Sequence, residues 1–419
     1  MFKQLNNQLY KDDAPFFWTA DTAWSMFTNA TEAEWRHYLQ KRHEQGFNVV
    51  QLNLLRQWDA SQSDLDWEPF EKTDLGEGKY SYDYEQPNSA YFDRVERMLA
   101  MMAEYELTPA LVLVWSNYAP DNWTTPLRRN NELPLAIAKQ LVAEWVTRFK
   151  RYEPIYFLSG DTDFESTTVQ NYYAELADVV KATDETALTA FHIRGRLGEL
   201  PEIILKRADF FAYQSGHNID YQPLAYEIPL AVRQVTDLPI INTEPAYEMM
   251  GYSHAKYGRF TREHVRKISW QSVLSGASAG ITYGAHGIWS WHATGQRFGM
   301  QGEMFDEPYS HDDALVFAGA TDIGFLRSLA ERYALSEATP LLIDMKSPEI
   351  RVAQNKQYVF VYVPVNTKIS LADLQLSSEQ ITNVVGYDLA QRTTMGLTIK
   401  NNVIQMHTGL GDALYVLGV

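Results

Sequence analysis

Residues 154–161 read PIYFLSGD, and residues 238–244 read LPIINTE. Each stretch is a short apolar run that closes on an acidic residue, Asp161 in the first and Glu244 in the second. A carboxylate is costly to place inside a core, but it is readily accommodated at the rim of a (β/α)8 barrel, where the strand ends carry the chemistry. The two stretches therefore predict a barrel with two carboxylates at its mouth.

Eight apolar runs of this kind occur in the first 330 residues or so, and helix-period segments separate most of them. Repeated strand–helix alternation predicts a parallel sheet, and eight repeats favour a closed (β/α)8 TIM barrel over an open doubly wound sheet. The open sheet is disfavoured further because no glycine-rich phosphate loop follows the first run. The predicted strands are 16–21, 48–55, 109–115, 155–160, 188–193, 210–214, 239–244 and 280–285.

The pattern changes near residue 335, where short strands with period-2 alternation and polar turns begin. Such alternation predicts antiparallel sheets, and Asn401 with Asn402 fits a tight hairpin turn. We therefore predict a catalytic barrel domain over residues 1–335 and a small antiparallel β-sandwich domain over residues 336–419.

The bulk composition excludes several classes of protein. The 419 residues are 45% hydrophobic and 13% aromatic, which is typical of a folded globular protein, and they carry a net charge of −17. A surface this negative repels phosphate backbones, so we expect no nucleic-acid partner. There is no cysteine, which excludes disulfides and thiolate chemistry. No leader-like N-terminus and no apolar run of membrane-spanning length are visible, so we expect no membrane partner and a cytoplasmic protein.

Asp161 and Glu244 follow the fourth and seventh predicted strands, and these two strand ends face the same barrel mouth. Two carboxyl groups that flank a pocket are the minimum equipment for glycoside hydrolysis. Each residue has a structural alternative: Asp161 fits an N-cap in a loop, and Glu244 fits a rim salt bridge. The neighbouring acids Asp163, Glu165 and Glu248 are rival candidates for the two roles.

Three more polar residues follow predicted strands and are candidates for binding a sugar or holding the nucleophile. Asp21 could accept hydrogen bonds from sugar hydroxyls, or it could cap a helix. Arg56 could keep a neighbouring carboxylate ionised, or it could form a surface ion pair. Tyr213 could donate a hydrogen bond to the nucleophile, or it could be a packed tyrosine with a satisfied hydroxyl.

Aromatic residues and histidines gather at the same strand ends. Trp24, Trp115 and Trp289, together with Trp58 and Trp123, suit a carbohydrate because sugar rings stack on aromatic faces. His192 and His286 are candidate contacts for the sugar. Histidines near strand ends also suit a metal-dependent hydrolase, but no His-x-His pair is present. We therefore expect neither a metal nor a cofactor. The long segments 56–90 and 286–311 should form the walls of the site.

The opening PFFWTADTAW (15–24), followed by YL (38–39) and GFNVVQ (46–51), resembles the apiosidase-like catalytic domain of glycoside hydrolase family 140 and its relatives. LSGD (158–161) and NTEPAYE (242–248) resemble two further motifs of that family, and the resemblance covers about residues 1–335. The stretch VGYDLA (385–390) resembles the small β domain that often follows.

This resemblance implies a (β/α)8 barrel with a retaining mechanism, in which Asp161 matches the acid/base and Glu244 the nucleophile. Tyr247 lies in the second motif and is a further candidate contact for the sugar. One departure concerns the family's Gly-Gly-Asp pattern, where Ser159 replaces the first glycine. Because no export signal is visible, the expected substrate is a short glycoside cleaved from its end. A non-catalytic carbohydrate-binding barrel and a metal-dependent hydrolase are the alternatives.

Overall fold

A computed structural model describes residues 1–254, 256–299, 305–409 and 411–419. Its centre is a parallel eight-stranded sheet whose strands correspond one for one to the eight predicted runs. The prediction of a (β/α)8 barrel is therefore confirmed. The strands are β1 (Trp18–Thr22), β2 (Val49–Asn53), β3 (Thr108–Trp115), β4 (Ile155–Gly160), β5 (Thr189–Ala190), β6 (Phe211–Tyr213), β7 (Ile240–Asn242) and β8 (Gly280–Tyr283).

The strand order is β5-β4-β3-β2-β1-β8-β7-β6, so the sheet closes between β5 and β6. Backbone hydrogen bonds bridge this seam near both ends of the two strands. The amide of Asp209 donates to the carbonyl of Thr189 at 2.8 Å, and the amide of Arg196 donates to the carbonyl of Gln214 at 3.0 Å. Closure brings the carboxyl ends of all eight strands to one mouth.

The helices pack outside the barrel with their apolar faces inward. Thr31 and Glu34 form the predicted capping box at the start of the second helix. The helices are α1 (Met26–Asn29), α2 (Glu32–Glu44), α3 (Ser89–Glu104), α4 (Leu135–Phe149), α5 (Thr167–Thr183), α6 (Glu202–Leu205), α7 (Leu224–Val232), α8 (Arg262–Val273), α9 (His311–Leu315) and α10 (Ala318–Arg332). Within the described ranges, no helix has the length and apolar character needed to cross a membrane.

Two smaller antiparallel elements accompany the barrel. A sheet of Phe2–Leu5, Gln8–Lys11 and Ala14–Phe16 precedes β1, and a hairpin of Phe70–Gly76 and Lys79–Pro87 lies in the β2–α3 connection. The hairpin was not expected, since the sequence predicted a long loop over residues 56–90.

The C-terminal part forms two antiparallel sheets with a shared apolar core, as the sequence predicted. In the smaller sheet, Asn401 and Asn402 both have positive φ, 52° and 59°, and form the predicted turn. The six-stranded sheet contains, in order, Thr339–Pro340, Arg351–Gln354, Tyr358–Val363, Ala413–Gly418, Asn383–Asp388 and Thr393–Met395; the three-stranded sheet contains Ile369–Ser370, Val403–Ile404 and Ile399–Lys400.

A buried network of charges joins these sheets to helices α8 and α10. Asp322 on α10 accepts hydrogen bonds from Arg262 and Arg266 of α8 and from Arg392 of the C-terminal part. Arg266 also binds Asp412 at 2.7 Å. The apolar core of the barrel continues into the larger sheet through side chains such as Phe360. The division of the chain into two domains at residue 335 remains a prediction.

Candidate active site

A pocket opens at the mouth formed by the carboxyl ends of the barrel strands, and Asp161 and Glu244 both line it. Asp161 follows β4, and Glu244 lies two residues after β7. The structure thus brings together the two acidic residues that the sequence placed at strand ends. Their surroundings differ sharply, which decides what each carboxyl group can do.

Glu244 lies between two histidines. His192 Nε2 is 3.1 Å from one carboxylate oxygen, and His217 Nε2 is 2.9 Å from the other. Burial alone would raise the pKa of Glu244, but the two neighbouring histidines outweigh burial and lower it to about 2. Glu244 is therefore an ionised carboxylate whose two oxygens are held in fixed directions at neutral pH.

Asp161 is in the opposite electrostatic situation. Burial, followed by the negative charges of Glu244 and Asp59, raises the pKa of Asp161 well above its usual value, although Arg194 and Gln214 act against this rise. Gln214 Nε2 donates to one carboxyl oxygen at 2.8 Å. Opposite pKa shifts of two paired carboxyl groups are the arrangement that separates acid and nucleophile in glycosidases.

His192 connects the backbone of Asp161 to the carboxylate of Glu244. Its Nδ1 accepts a hydrogen bond from the backbone amide of Asp161 at 3.2 Å. The ring proton must then lie on Nε2, which faces Glu244. The sequence predicted His192 as a contact for the sugar, but its ring is fully buried and contacts the backbone amide of Asp161 and the carboxylate of Glu244 instead.

The sequence around Asp161 explains how its side chain is aimed. A Cβ on Gly160 would lie 2.2 Å from the ring of Trp115, so only glycine allows this tryptophan to pack against the end of β4. Ser159 donates its hydroxyl to the carbonyl of His192 at 3.0 Å. It therefore has a structural role where the family pattern has glycine. Asp161 itself has a positive φ of 52°, a strained conformation of the kind that clusters at active sites.

Aromatic side chains form much of the pocket wall. Trp24 Nε1 donates to the hydroxyl of Tyr247 at 3.1 Å, and the rings of Trp24 and Trp115 meet edge to face at 5.1 Å. Trp289 and Trp58 also line the pocket. The structure thus brings Trp24, Trp115, Tyr247 and Trp289 to the site, as the sequence indicated. Residues 300–304 of the second predicted wall segment lie outside the described residues.

Three predicted contacts for the substrate or nucleophile lie away from the pocket. Side chains alternate between the two faces of a strand, and Trp18 of β1 points into the barrel. Asp21, three residues later, therefore points outward to helix α2, where it binds Arg42 at 2.6 Å. Arg56 pairs with Glu68 at 3.0 Å. Tyr213 donates its hydroxyl to the carbonyl of Ala225 in helix α7 at 2.9 Å, while the next residue, Gln214, faces the pocket.

His286 supports the pocket from behind. Its Nδ1 accepts from Trp289 Nε1 at 3.1 Å, and its Nε2 lies 3.0 Å from the carbonyl of Asp306. Burial lowers the pKa of His286 to about 3, so the ring is neutral. This histidine does not line the pocket, contrary to the sequence-based prediction, but it holds Trp289 in place.

The rival acids have other partners. Asp163 accepts from the amide of Trp123 at 2.9 Å and ties the β4 loop to the neighbouring loop. Glu165 is exposed to solvent. Glu248 accepts from the hydroxyl of Tyr283 at 2.6 Å and from the amide of Gly319 at 2.9 Å, in the layer between barrel and helices. Geometry therefore favours Asp161 and Glu244 over all three.

Several polar pocket residues were not singled out as candidates by the sequence. Asp59 adds a third carboxyl group, and burial raises its pKa to about 6. Arg194 lines the pocket with its guanidinium over the ring of Trp123 at 4.7 Å. Among the residues that the structure describes, no group of three or more histidine and acidic side chains is arranged to hold a metal ion.

The profile of the family described as "Apiosidase-like, catalytic domain" matches residues 4–337. The chain belongs to this family. The matched region contains every residue of the pocket described above, so the apiosidase-like domain carries the whole candidate site. A comparison with curated protein sequences returned no match.

Solved structures resemble this apiosidase-like protein over most or all of its length. One described as "Glycoside hydrolase" has 20% identity and a TM-score of 0.80, with 99% of this chain and 96% of that chain covered. A family 5 glycoside hydrolase from Bacteroides vulgatus has 20% identity and a TM-score of 0.80, with 100% and 93% covered. A family 5 mannosidase from Rhizomucor miehei has 12% identity and a TM-score of 0.55, with 80% and 98% covered. At these identities the likeness is one of fold.

Proposed function

We propose that this protein is a retaining glycosidase in which Glu244 is the nucleophile and Asp161 the acid/base, and that it removes the terminal sugar of a short glycoside. One observation carries the proposal: the two carboxyl groups share a pocket while their pKa values are shifted in opposite directions. One carboxyl group thus favours its ionised form and the other favours its protonated form, as the two roles require.

In the first step, Glu244 attacks the anomeric carbon while Asp161 donates its proton to the leaving oxygen, and a glycosyl-enzyme forms. His192 and His217 hold the attacking carboxylate in the ionised state. In the second step, Asp161 takes a proton from water, which displaces the sugar from Glu244.

The change of role at Asp161 is coupled to the state of Glu244. The negative charge of Glu244 is one cause of the raised pKa of Asp161. Esterification removes that charge, so the pKa of Asp161 falls once the glycosyl-enzyme has formed. The acid of the first step thereby becomes an effective base for the second step.

The lining of the pocket supports action on a small sugar substrate. Trp24, Trp58 and Trp289 all line it. Aromatic faces provide apolar contact to sugar C–H groups. The alternative of a non-catalytic binding barrel predicted that Asp161 would turn away from Glu244, whereas both residues line one pocket.

The proposal is tested with a panel of 4-nitrophenyl glycosides that includes apiosides and mannosides, together with the corresponding alkyl glycosides, assayed with wild type, Glu244→Ala and Asp161→Asn. We expect Glu244→Ala to lose at least about a thousandfold in kcat/KM. Asp161→Asn should lose far more with alkyl than with nitrophenyl leaving groups, because a good leaving group needs little protonation. Glu165→Gln, an exposed acid in the same loop, is the matched control and should behave as wild type.

The stereochemistry of the product tests the retaining mechanism. The first-formed anomer, followed by NMR, should have the configuration of the substrate, whereas an inverted product would require direct attack by water. Equal turnover by wild type and Glu244→Ala would reject Glu244 as the nucleophile. Sugar binding without turnover would favour the binding barrel, and loss of activity on chelation would favour a metal-dependent hydrolase.

A further inference from the structure

We propose that Asp59 determines the sugar specificity of this pocket by accepting hydrogen bonds from hydroxyl groups of the sugar held between Asp161 and Glu244. This inference rests on the proposed function, since it assumes that a sugar occupies that position. It concerns a residue outside the catalytic pair and outside the motifs that identify the family.

The position of Asp59 suits this role. Asp161 follows β4 and Glu244 follows β7, whereas Asp59 lies in the connection after β2, on a third side of the mouth. The charge of Asp59 contributes to the raised pKa of Asp161, and that of Glu244 contributes to the raised pKa of Asp59. A sugar whose anomeric carbon faces the catalytic pair therefore presents other ring positions to Asp59.

The carboxyl group of Asp59 is held by a chain of side-chain amides. Asn53, the last residue of β2, donates to Gln57 Oε1 at 2.8 Å. Gln57 in turn donates through Nε2 to Asp59 Oδ1 at 2.7 Å. Because Asn53 occupies the oxygen of Gln57, the amide group of Gln57 is directed at Asp59. Within the described ranges, no other side chain forms a hydrogen bond with this carboxyl group, which lines the pocket and is available to a ligand.

The loop that carries Asp59 is braced from two directions. Asn29 donates to the carbonyl of Ser61 at 2.8 Å, and the hydroxyl of Ser61 lies 2.8 Å from His292 Nδ1. The amide of Gln62 donates to the carbonyl of Arg297 at 2.9 Å. The carboxyl group of Asp59 therefore projects from a loop that is held in place, which favours precise recognition of a ligand.

The charge of Asp59 is not balanced by a neighbour. No lysine, arginine or histidine of the described chain forms an ion pair with it, and the charge of Glu244 acts against its ionisation. Such a group destabilises the empty pocket. Donors from the substrate offset that cost, because hydrogen bonds to an ionised acceptor are among the strong ones in proteins.

The test combines changes in the enzyme with changes in the substrate. Wild type, Asp59→Asn and Asp59→Ala are assayed with the best 4-nitrophenyl glycoside of the panel and with its monodeoxy analogues. Asp64→Asn is the matched control, because Asp64 is an exposed acid of the same segment. Thermal unfolding of each variant verifies that it is folded.

In wild type, removal of one particular hydroxyl should lower kcat/KM by roughly 10- to 100-fold, the range for a hydrogen bond to a charged group. In Asp59→Ala, removal of the same hydroxyl should lower kcat/KM by about twofold or less, because the carboxyl group that it would bind is already absent. Equal losses in wild type and Asp59→Ala at every position would overturn the proposal, as would unchanged kinetics of Asp59→Ala with the parent glycoside.

A binding measurement separates failure of this inference from failure of the proposed function. In a Glu244→Gln background, calorimetry measures the binding of free monosaccharides with and without Asp59→Ala. A tenfold or greater loss for one sugar supports the role of Asp59 even if no glycoside is hydrolysed. Equal binding, or no binding of any sugar, overturns it.

Discussion

Replacing Asp59 by asparagine should stabilise the protein at neutral pH while it weakens the enzyme. Burial and the charge of Glu244 raise the pKa of Asp59 from 3.8 to about 6. A raised pKa means that the folded state resists ionisation of this group, so ionisation destabilises the fold. Asparagine keeps the acceptor for Gln57 and removes the charge.

The sign and the size of the change in unfolding free energy follow from the linkage between protonation and folding. Below the unfolded pKa of 3.8 the carboxyl group is neutral in both states and costs nothing; the cost grows as pH rises through about 6 and is complete above it. At 1.36 kcal/mol per pKa unit, the full shift is worth about 3 kcal/mol. The pocket is open to water, which reduces the expected gain of Asp59→Asn to about 1–3 kcal/mol at pH 7.5.

Scanning calorimetry measures this difference directly. An unfolding entropy of about 2.1 cal/mol/K per residue implies that each kcal/mol shifts the midpoint of this chain by about 1 °C. Asp59→Asn should therefore raise the midpoint by about 1–3 °C at pH 7.5 and by almost nothing at pH 4, while Asp64→Asn shifts it at neither pH. An equal shift at both pH values, or a lower midpoint at pH 7.5, would refute the linkage argument.

Three further predictions concern the site and its support. His217→Phe removes one hydrogen bond to Glu244 and should raise the pKa of Glu244 by about 1–2 units; the acid limb of the kcat/KM profile must then move to higher pH, and an unmoved limb contradicts the prediction. Gly160→Ala should displace Trp115 and cost about 1–3 kcal/mol of stability, with at least a tenfold loss in kcat/KM; wild-type kinetics would contradict this. Asp322→Ala leaves its arginine partners without their shared carboxylate and should cost about 3–5 kcal/mol in thermal unfolding, and a shift below 1 °C would speak against it.

The fold was predictable because apolar residues recur with different periods in β strands and in helices. Eight apolar runs alternated with helical segments, and each run became a barrel strand. The seam between β5 and β6 was not predictable, since it depends on the backbone hydrogen bonds of Asp209 and Arg196 rather than on any residue type.

The candidate site was predictable only in part. Proximity to a strand end brought Asp161, Glu244 and Trp115 to the pocket, but it does not specify which face of the strand a residue occupies. Asp21 and Tyr213 project outward toward helices, whereas the residues next to them in the strand face inward. Counting parity along β1 from the buried Trp18 could have removed Asp21 from the candidates.

Asp59 was missed for a different reason. It lies six residues after β2, where strand parity no longer applies, in a segment rich in acidic residues. Its place in the pocket depends on contacts with Asn53 and Gln57 nearby and on the bracing of its loop by residues far away in sequence. The adjacent Trp58 was the one local signal.

The shared charges of Asp322 and Asp412 have a consequence for engineering. Because Arg266 binds both aspartates and Arg392 binds Asp322, removal or exchange of the C-terminal sheets would take Asp412 from Arg266 on α8 and Arg392 from Asp322 on α10. Each of the two helices would lose one partner of a largely buried charge. A chimaera with a foreign C-terminal module would therefore have to transplant helices α8 and α10 with it, or replace Arg262, Arg266 and Asp322 by apolar residues. When such proteins are recombined, the C-terminal sheets and these two helices should be exchanged together.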